Sequence, residues 1–492
     1  MHDDPQRAAG PGGPSRRQIL AGLAGTLATA ACTREDARAA AGPARPVRPL
    51  SAFGIAPSSP TDQWQKLTRA FADAHADGLS LVADPHAQYR HDGPLTLDGV
   101  SFEGQGCSFT ALSDGPQVLR CLGDGWRIAN LSMLGAATVR NNSNLFNGIW
   151  VGDEGPHSAA DFVLENVSVG AVAPGRGVAT AGIMFSNAHR GRILGPSVRN
   201  SLADGIHITG GSSDLAFERA LVEDSGDDGF AVVSYRAQKW ICSAIHLAGG
   251  ISRRSAARGF SVVGGHDVTY RNVRVEASSA AGIYLYGEGG FDTFGVANCT
   301  VTDAVVKDCV TGLHLPPGFS NAAIIVGGRD GSDRIDGLTL PRGSADCVIR
   351  NAVVEGGGAA CTAAISLHQY AIRSHVVGAR IRGTGRRLGG LATNGIEIRG
   401  QDARIENAQM TDVPGIAILV GTTASGACSV VAPHVDGSSL RGGPIDSFIY
   451  AEGAPALRRL EVRDGVFARG PRRLSTSLLP DERITLAGNR LS

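Results

Sequence analysis

The chain has 492 residues, and its 46 Lys and Arg are matched by 46 Asp and Glu, so the formal net charge is zero. No basic excess of the kind that follows a phosphate backbone is present, which removes nucleic acid as an expected partner. Glycine is abundant at 67 residues and aromatic residues make up only 5%, a balance that suits a long β-rich solenoid with a turn at every corner.

The chain opens with Ser15-Arg16-Arg17-Gln18-Ile19-Leu20 and a short apolar run, rich in Ala and Gly, from Ile19 to Ala31. Twin arginines before such a run mark a Tat-type export signal, so the expected location is periplasmic or extracellular. The run is too short and too weakly apolar to remain as a permanent membrane span. Ala37-Arg38-Ala39 offers a small-x-small cleavage site. Thr29-Ala30-Ala31-Cys32 resembles a lipobox with an atypical Thr, which leaves lipid anchoring at Cys32 open. Signal and linker are expected over residues 1–48, a cap with the first coils over 49–106, and coils over 107–492.

After the linker, Ser59-Pro60-Thr61-Asp62 reads as a helix start. Trp64, Leu67, Phe71 and Ala74 follow on one helical face, and Gly78 closes it. Leu79 to Ala83 reads as a strand, and Leu95-Thr96-Leu97-Asp98-Gly99-Val100 opens the stack. This arrangement resembles the N-terminal cap of pectate-lyase-like β-helix proteins, over about residues 50 to 106. A cap is needed because a first coil without one exposes its core and an unpaired strand edge.

From there one phrase recurs: a glycine, an apolar residue, a variable residue and another apolar residue. Copies start at Gly205, Gly229, Gly259 and Gly282, in steps of 24, 30 and 23 residues by subtraction, with further copies at Gly148, Gly182 and Gly312. Alternation of period two says strand, and the glycine says turn. A strand and turn returning at such intervals predict an all-β, single-stranded right-handed parallel β-helix with a short N-terminal capping helix. A second strand type ends repeatedly in Asn, at Asn130, Asn166, Asn272, Asn351 and Asn407; these are expected to stack as a structural ladder.

Stacking the coils in register makes a prediction about chemistry. The residue before each glycine reads Asn147, Ala181, Asp204, Asp228, Arg258, Ala281 and Thr311, on rungs ~4.8 Å apart. Asp227 stands beside Asp228 and adds a third carboxylate. Like charges on neighbouring strands repel, so a scaffold shaped by stability alone avoids this arrangement. The outward column reads Trp150, Met184, His207, Ala231, Ser261, Tyr284 and His314. An exposed face with aromatic planes beside carboxylates is what a sugar-binding groove requires, so His207, Trp150, Tyr235, Tyr284 and Tyr286 are candidate substrate-binding residues.

Asp330, Asp333 and Asp336 lie in an excursion where a calcium site competes with a plain solvated loop. Eight cysteines beyond Cys32 are scattered without metal-ligand spacing and read as small buried hydrophobes.

The charged column resembles the motifs of polygalacturonases, inverting glycoside hydrolases of β-helix fold, over roughly residues 140 to 290. Their order is Asn-Thr-Asp-Gly, Asp-Asp, His-Gly and Arg-Ile-Lys on successive coils. Ala203-Asp204-Gly205 matches the first without its leading pair, and Gly226-Asp227-Asp228-Gly229 matches the second. Arg258-Gly259 puts Arg where that family has His, and Tyr284-Leu285-Tyr286 replaces the Arg and Lys clamp for a substrate carboxylate. The resemblance implies an exported, monomeric enzyme that hydrolyses a polysaccharide other than galacturonan. By the same resemblance Asp228 is the acid, Asp204 with Asp227 activate water, and Arg258 holds a carboxylate ionised or binds a substrate anion. No metal or cofactor is then expected. The alternatives are a uronan lyase or epimerase, with Arg258, Tyr284 or His207 as base and calcium on the Asp cluster, and a non-catalytic glycan-binding surface protein. Asp before Gly is also a common turn residue, so the column has a purely structural reading as well.

Overall fold

A computed structural model describes residues 45–312, 321–335, 337–358, 360–383, 393–438 and 446–492. The twin arginines, Cys32, His314 and Asp336 lie outside the described residues. The architecture is a right-handed parallel β-helix in which strands pair in register with their counterparts one coil on. The first described strand is Val47–Pro49, paired with Ser80–Val82. One α-helix, α1 (Trp64–Ala76), lies over the end of the stack. Its first N–H, from Trp64, is capped by the Asp62 carboxylate at 2.9 Å. Leu67, Ala70, Phe71 and Ala74 are its buried face, and Phe71 meets Phe102 and Phe109, each at 6.2 Å between ring centroids. The helix therefore covers apolar edges that the first coil leaves open.

A typical coil has three strands. In the one leading to the candidate site, Ser213–Glu218 ends at Arg219, Leu221–Glu223 ends at Asp224, and Phe230–Val233 follows. Arg219 and Asp224 have φ of 54° and 58°. The first of these corners is left-handed in coil after coil: Asn130, Asn166, Asn272, Asp303, Asn351 and Asn407 all stand there. Asn and Asp tolerate that conformation better than other side chains, and this explains the recurrent Asn better than a ladder does. Two of these corner side chains also bond the rung before, as a ladder would, Asn166 Nδ2 donating to Asn130 Oδ1 and Asn351 Nδ2 to Asp303 Oδ1, each at 3.1 Å.

Inside the coils apolar residues stack rung on rung. Phe185, Phe217 and Phe230 meet at 5.2 and 5.1 Å, and Trp126 stacks on Phe162 at 4.8 Å. The eight described cysteines are free thiols buried in this core. Among the described residues no helix is long and apolar enough to cross a membrane.

The repeated glycines are needed for space. A Cβ on Gly205 would come 2.2 Å from Val222 Cγ1 and 2.5 Å from the Gly229 carbonyl oxygen. Gly148, Gly182, Gly229 and Gly259 each meet the carbonyl of the next rung's glycine at 2.6–2.7 Å. Gly312 is different, with nothing within 4 Å of its Cβ position. The strand that follows Ile283–Tyr286 in register is Ala322–Gly327, with Ile283 opposite Ile324. The column therefore continues from Ala281 to Ala322, and Thr311 is not part of it. The apolar alternation at Ala322–Gly327, buried throughout, forms the rung after an insertion.

Gly205→Ala is expected to destabilise the chain by about 1–3 kcal/mol through overpacking. Gly312→Ala is expected to leave stability unchanged. Chemical denaturation of the two variants checks this, and equal effects contradict it.

Candidate functional site

The candidate site lies where each second corner turns into the third strand. Strands starting at Ile149, Ile183, Ile206, Phe230, Phe260 and Ile283 pair in unbroken register, so Asn147, Ala181, Asp204, Asp228, Arg258 and Ala281 form one column. Hydrogen bonds run along it. The backbone N–H of Asp228 donates to Asp204 Oδ1 at 2.9 Å, and that of Arg258 donates to Asp228 Oδ1 at 2.8 Å. Asn147 Oδ1 does the same for the Ala181 N–H at 3.0 Å, and Asn394 Oδ1 for the Ile416 N–H at 3.1 Å. Each acceptor satisfies the amide one rung on, where the turn leaves it without a strand partner. Asparagine does this work without charge, so the ladder does not require the negative charge of Asp204 and Asp228.

Those charges meet several partners. Asp204 Oδ2 bonds His207 Nδ1 at 2.5 Å, so both its oxygens are engaged. Asp228 is only 4% exposed, and its Oδ2 accepts from the Ser261 hydroxyl at 2.6 Å. Burial pushes the Asp228 carboxyl up to about 7, with Asp204 and Asp227 adding to the rise and Arg258 opposing it. Asp227 is more open and accepts from Arg140 Nη1 at 2.9 Å.

Arg258 ties the far side together. Its guanidinium contacts Asp228 Oδ2 at 3.5 Å, pairs with Glu288 Oε1 and lies over the Tyr284 ring at 4.4 Å. Burial alone would lower its pKa, but Asp228 and Glu288 outweigh that and hold it above the usual range. Burial raises Tyr284 well above the ordinary phenol range, with Glu288 adding to it. Tyr235 is pushed up to about 12, by burial first and then by Asp204.

Asp204, Asp227, Asp228, Arg258, His207 and Tyr235 together line one cleft of about 330 Å³. The expected row of exposed aromatic planes is not found. Trp150 is 6% exposed, two rungs away and covered by Arg120. Tyr284 lies beneath Arg258 and stacks on Tyr286 at 4.9 Å. Rings and guanidinium groups close to one another on this face stack on each other instead of projecting. The exposed aromatic at the cleft is Phe291, 65% exposed. Phe291, Glu288 and Arg140 come from loops outside the repeat, so the column pattern does not reveal them; the only local signal is the Glu288-Gly289-Gly290-Phe291 turn after an aromatic strand.

Of the three aspartates of the acidic excursion, Asp336 lies outside the described residues and Asp333 is committed to arginines. Asp333 pairs with both Arg236 and Arg342, at 3.1 and 3.0 Å, in a hairpin of Ser332–Ile335 with Leu338–Pro341. Among the described residues no group of three or more His, Cys, Asp or Glu is placed to hold a metal ion.

No family model matches the chain, and no curated protein matches it. Solved structures do. PfbA, a surface adhesin of Streptococcus pneumoniae, superposes with a TM-score of 0.53 at 10% identity, covering 80% of this chain and 92% of the adhesin. The catalytic domain of a GH87 alpha-1,3-glucanase in complex with nigerose gives 0.47 at 15% identity, covering 88% and 68%. At such identities the likeness is one of fold.

The ladder makes Asp228→Asn a structurally mild change with a defined signature. An unfolded Asp titrates near ~3.9, whereas the folded Asp228 does so at about 7. Between those values the folded chain holds an extra proton, so rising pH removes stability through that window and the loss is complete above it. The stability of the variant relative to wild type is expected to climb from about pH 4 to about 7 and then level off. Denaturant unfolding across pH measures this; a difference that does not vary with pH contradicts it.

Proposed function

We propose that the chain is a glycoside hydrolase that cleaves a neutral polysaccharide with inversion. The observation that carries the reading is a pair of neighbouring Asp carboxyls whose acidity the ladder does not need, Asp204 half-buried and Asp228 fully buried and kept protonated near neutral pH by that burial. Inversion requires a raised-pKa acid on one side of the glycosidic bond and a carboxylate base on the other. Asp228 is the acid: its proton goes to the glycosidic oxygen as the bond from that oxygen to the anomeric carbon breaks. Asp227, one oxygen on Arg140 and its side chain a third exposed, takes a proton from the water whose oxygen bonds to the anomeric carbon. Asp204 bonds His207 and the Asp228 N–H and is less exposed than Asp227, so it orients His207 and the Asp228 turn while the more open Asp227 meets the water. Arg258 stays cationic and steadies the negative charges around it.

Charge supports a neutral substrate. Five carboxyl groups, Glu154, Asp204, Asp227, Asp228 and Glu288, line the cleft against two arginines, and both arginines are already paired. A uronan would bring more negative charge to a site that has no unpaired cation among its described residues. The same pairing disfavours Arg258 and Tyr284 as lyase bases, since both are held in their protonated forms. One observation favours proton abstraction as a second reading: the Asp204–His207 pair leaves His207 Nε2 as a base at the cleft.

Reducing-end release and absorbance at 235 nm, followed together on a panel of neutral and acidic glycans, separate these readings. Reducing ends without absorbance are expected, from neutral glycans, with activity falling as pH rises through about 7 as Asp228 loses its proton. Asp228→Asn is expected to lower kcat by about 10²–10⁴-fold. Absorbance from a uronan, lost in His207→Gln, would establish the second reading. Binding without turnover in either assay would leave a non-catalytic glycan-binding protein; PfbA, similar in fold, is named a surface adhesin.

A further inference from the structure

The cleft does not end at the acid column. The outward column runs Arg120, Trp150, Met184, His207 in register, so Trp150 stands two rungs from His207, about 10 Å along the axis. Over Arg120 and Trp150 opens a shallower groove of about 590 Å³. It shares Asn142, Asn144 and Glu154 with the acid cleft, so the two are continuous.

This second lobe is built from immobilised groups. The Arg120 guanidinium lies over Trp150 at 4.8 Å and is paired with Asp153. Trp150 packs among Val118, Ala181 and Met184, and the last two also line the acid cleft. A donor held on both sides loses little freedom when a ligand arrives, which favours binding. Trp150 Nε1 and Arg120 Nε are buried without a hydrogen-bond partner, so the fold itself leaves two donors of this lobe unsatisfied. Asp153 already balances the Arg120 charge, and Glu154 adds a negative one, so nothing in the lobe selects an anion. Guanidinium and amide donors, carboxylate acceptors and the 41% exposed Leu145 together suit a ring with hydroxyls at its edge and an apolar face.

We infer that this lobe is a second glycan subsite, which holds neutral sugar units of the same chain that lies across the acid column. The inference rests on the hydrolase reading for the direction of the chain, but its test does not need turnover. The probe is a set of malto-, cello- and nigero-oligosaccharides, from disaccharide to hexasaccharide, titrated calorimetrically into Asp228→Asn protein. Affinity is expected to rise with length in the series that binds. Adding Arg120→Met, which keeps a long side chain over Trp150, is expected to cut that gain about tenfold, the cost of losing one charged hydrogen-bond donor. Leu145→Ala, at an exposed position that cannot unfold the coil, is expected to reduce it several-fold. A length gain unchanged in both variants overturns the subsite, as does the absence of binding in every neutral series. Length-dependent binding that the variants weaken, with no reducing ends released by wild type, leaves the subsite standing and removes the hydrolase reading.

Discussion

The site depends on one backbone device: on several coils the amide at the entrance to the third strand, left by the turn without a strand partner, is met by a side-chain oxygen from the coil before. Asn147, Asp204, Asp228 and Asn394 each meet it by pointing a side-chain oxygen at the next rung. Because rungs lie ~4.8 Å apart, choosing Asp on consecutive coils stacks carboxylates at that spacing. Desolvation and mutual repulsion then act together, and the more buried carboxyl, Asp228, gives up its charge. The same bonds that hold the turn therefore set the protonation state of the site.

Around this column each arginine is compensated by a carboxylate. Arg258 bridges Asp228 and Glu288, Arg140 holds Asp227, and Arg120 holds Asp153. Pairing of this kind fixes geometry and leaves little unpaired positive charge for an acidic ligand. A continuous groove over sheet faces of alternating buried and outward residues results, with its polar groups placed before any ligand arrives.

Much of this is legible in the sequence where the repeat is regular. Gly205, Gly229, Gly259 and Gly282 mark the rungs because no side chain fits beneath the next coil, and their spacing places Asp204, Asp228 and Arg258 in one column. Regularity also misleads. Gly312 carries the same phrase, yet the insertion before Ala322 takes it out of the stack. Trp150, Tyr284 and Tyr286 fall on the outward face, but period-two alternation cannot tell a ring that projects from one covered by a neighbour in register. Asn130 and its relatives repeat because of a left-handed corner, a backbone property with no direct mark in the hydrophobic pattern. Glu288, Arg140 and Phe291 reach the cleft from loops, where no periodicity locates them.

The central claim is that Asp228 is a protonated acid near neutral pH. An infrared titration of wild type against Asp228→Asn tests it most directly, because a protonated carboxyl and a carboxylate absorb at separate frequencies. A carboxylic-acid band that persists up to about pH 7 in wild type and is missing from the variant is the result this account predicts. A difference spectrum that shows only carboxylate from about pH 5 upward would contradict it.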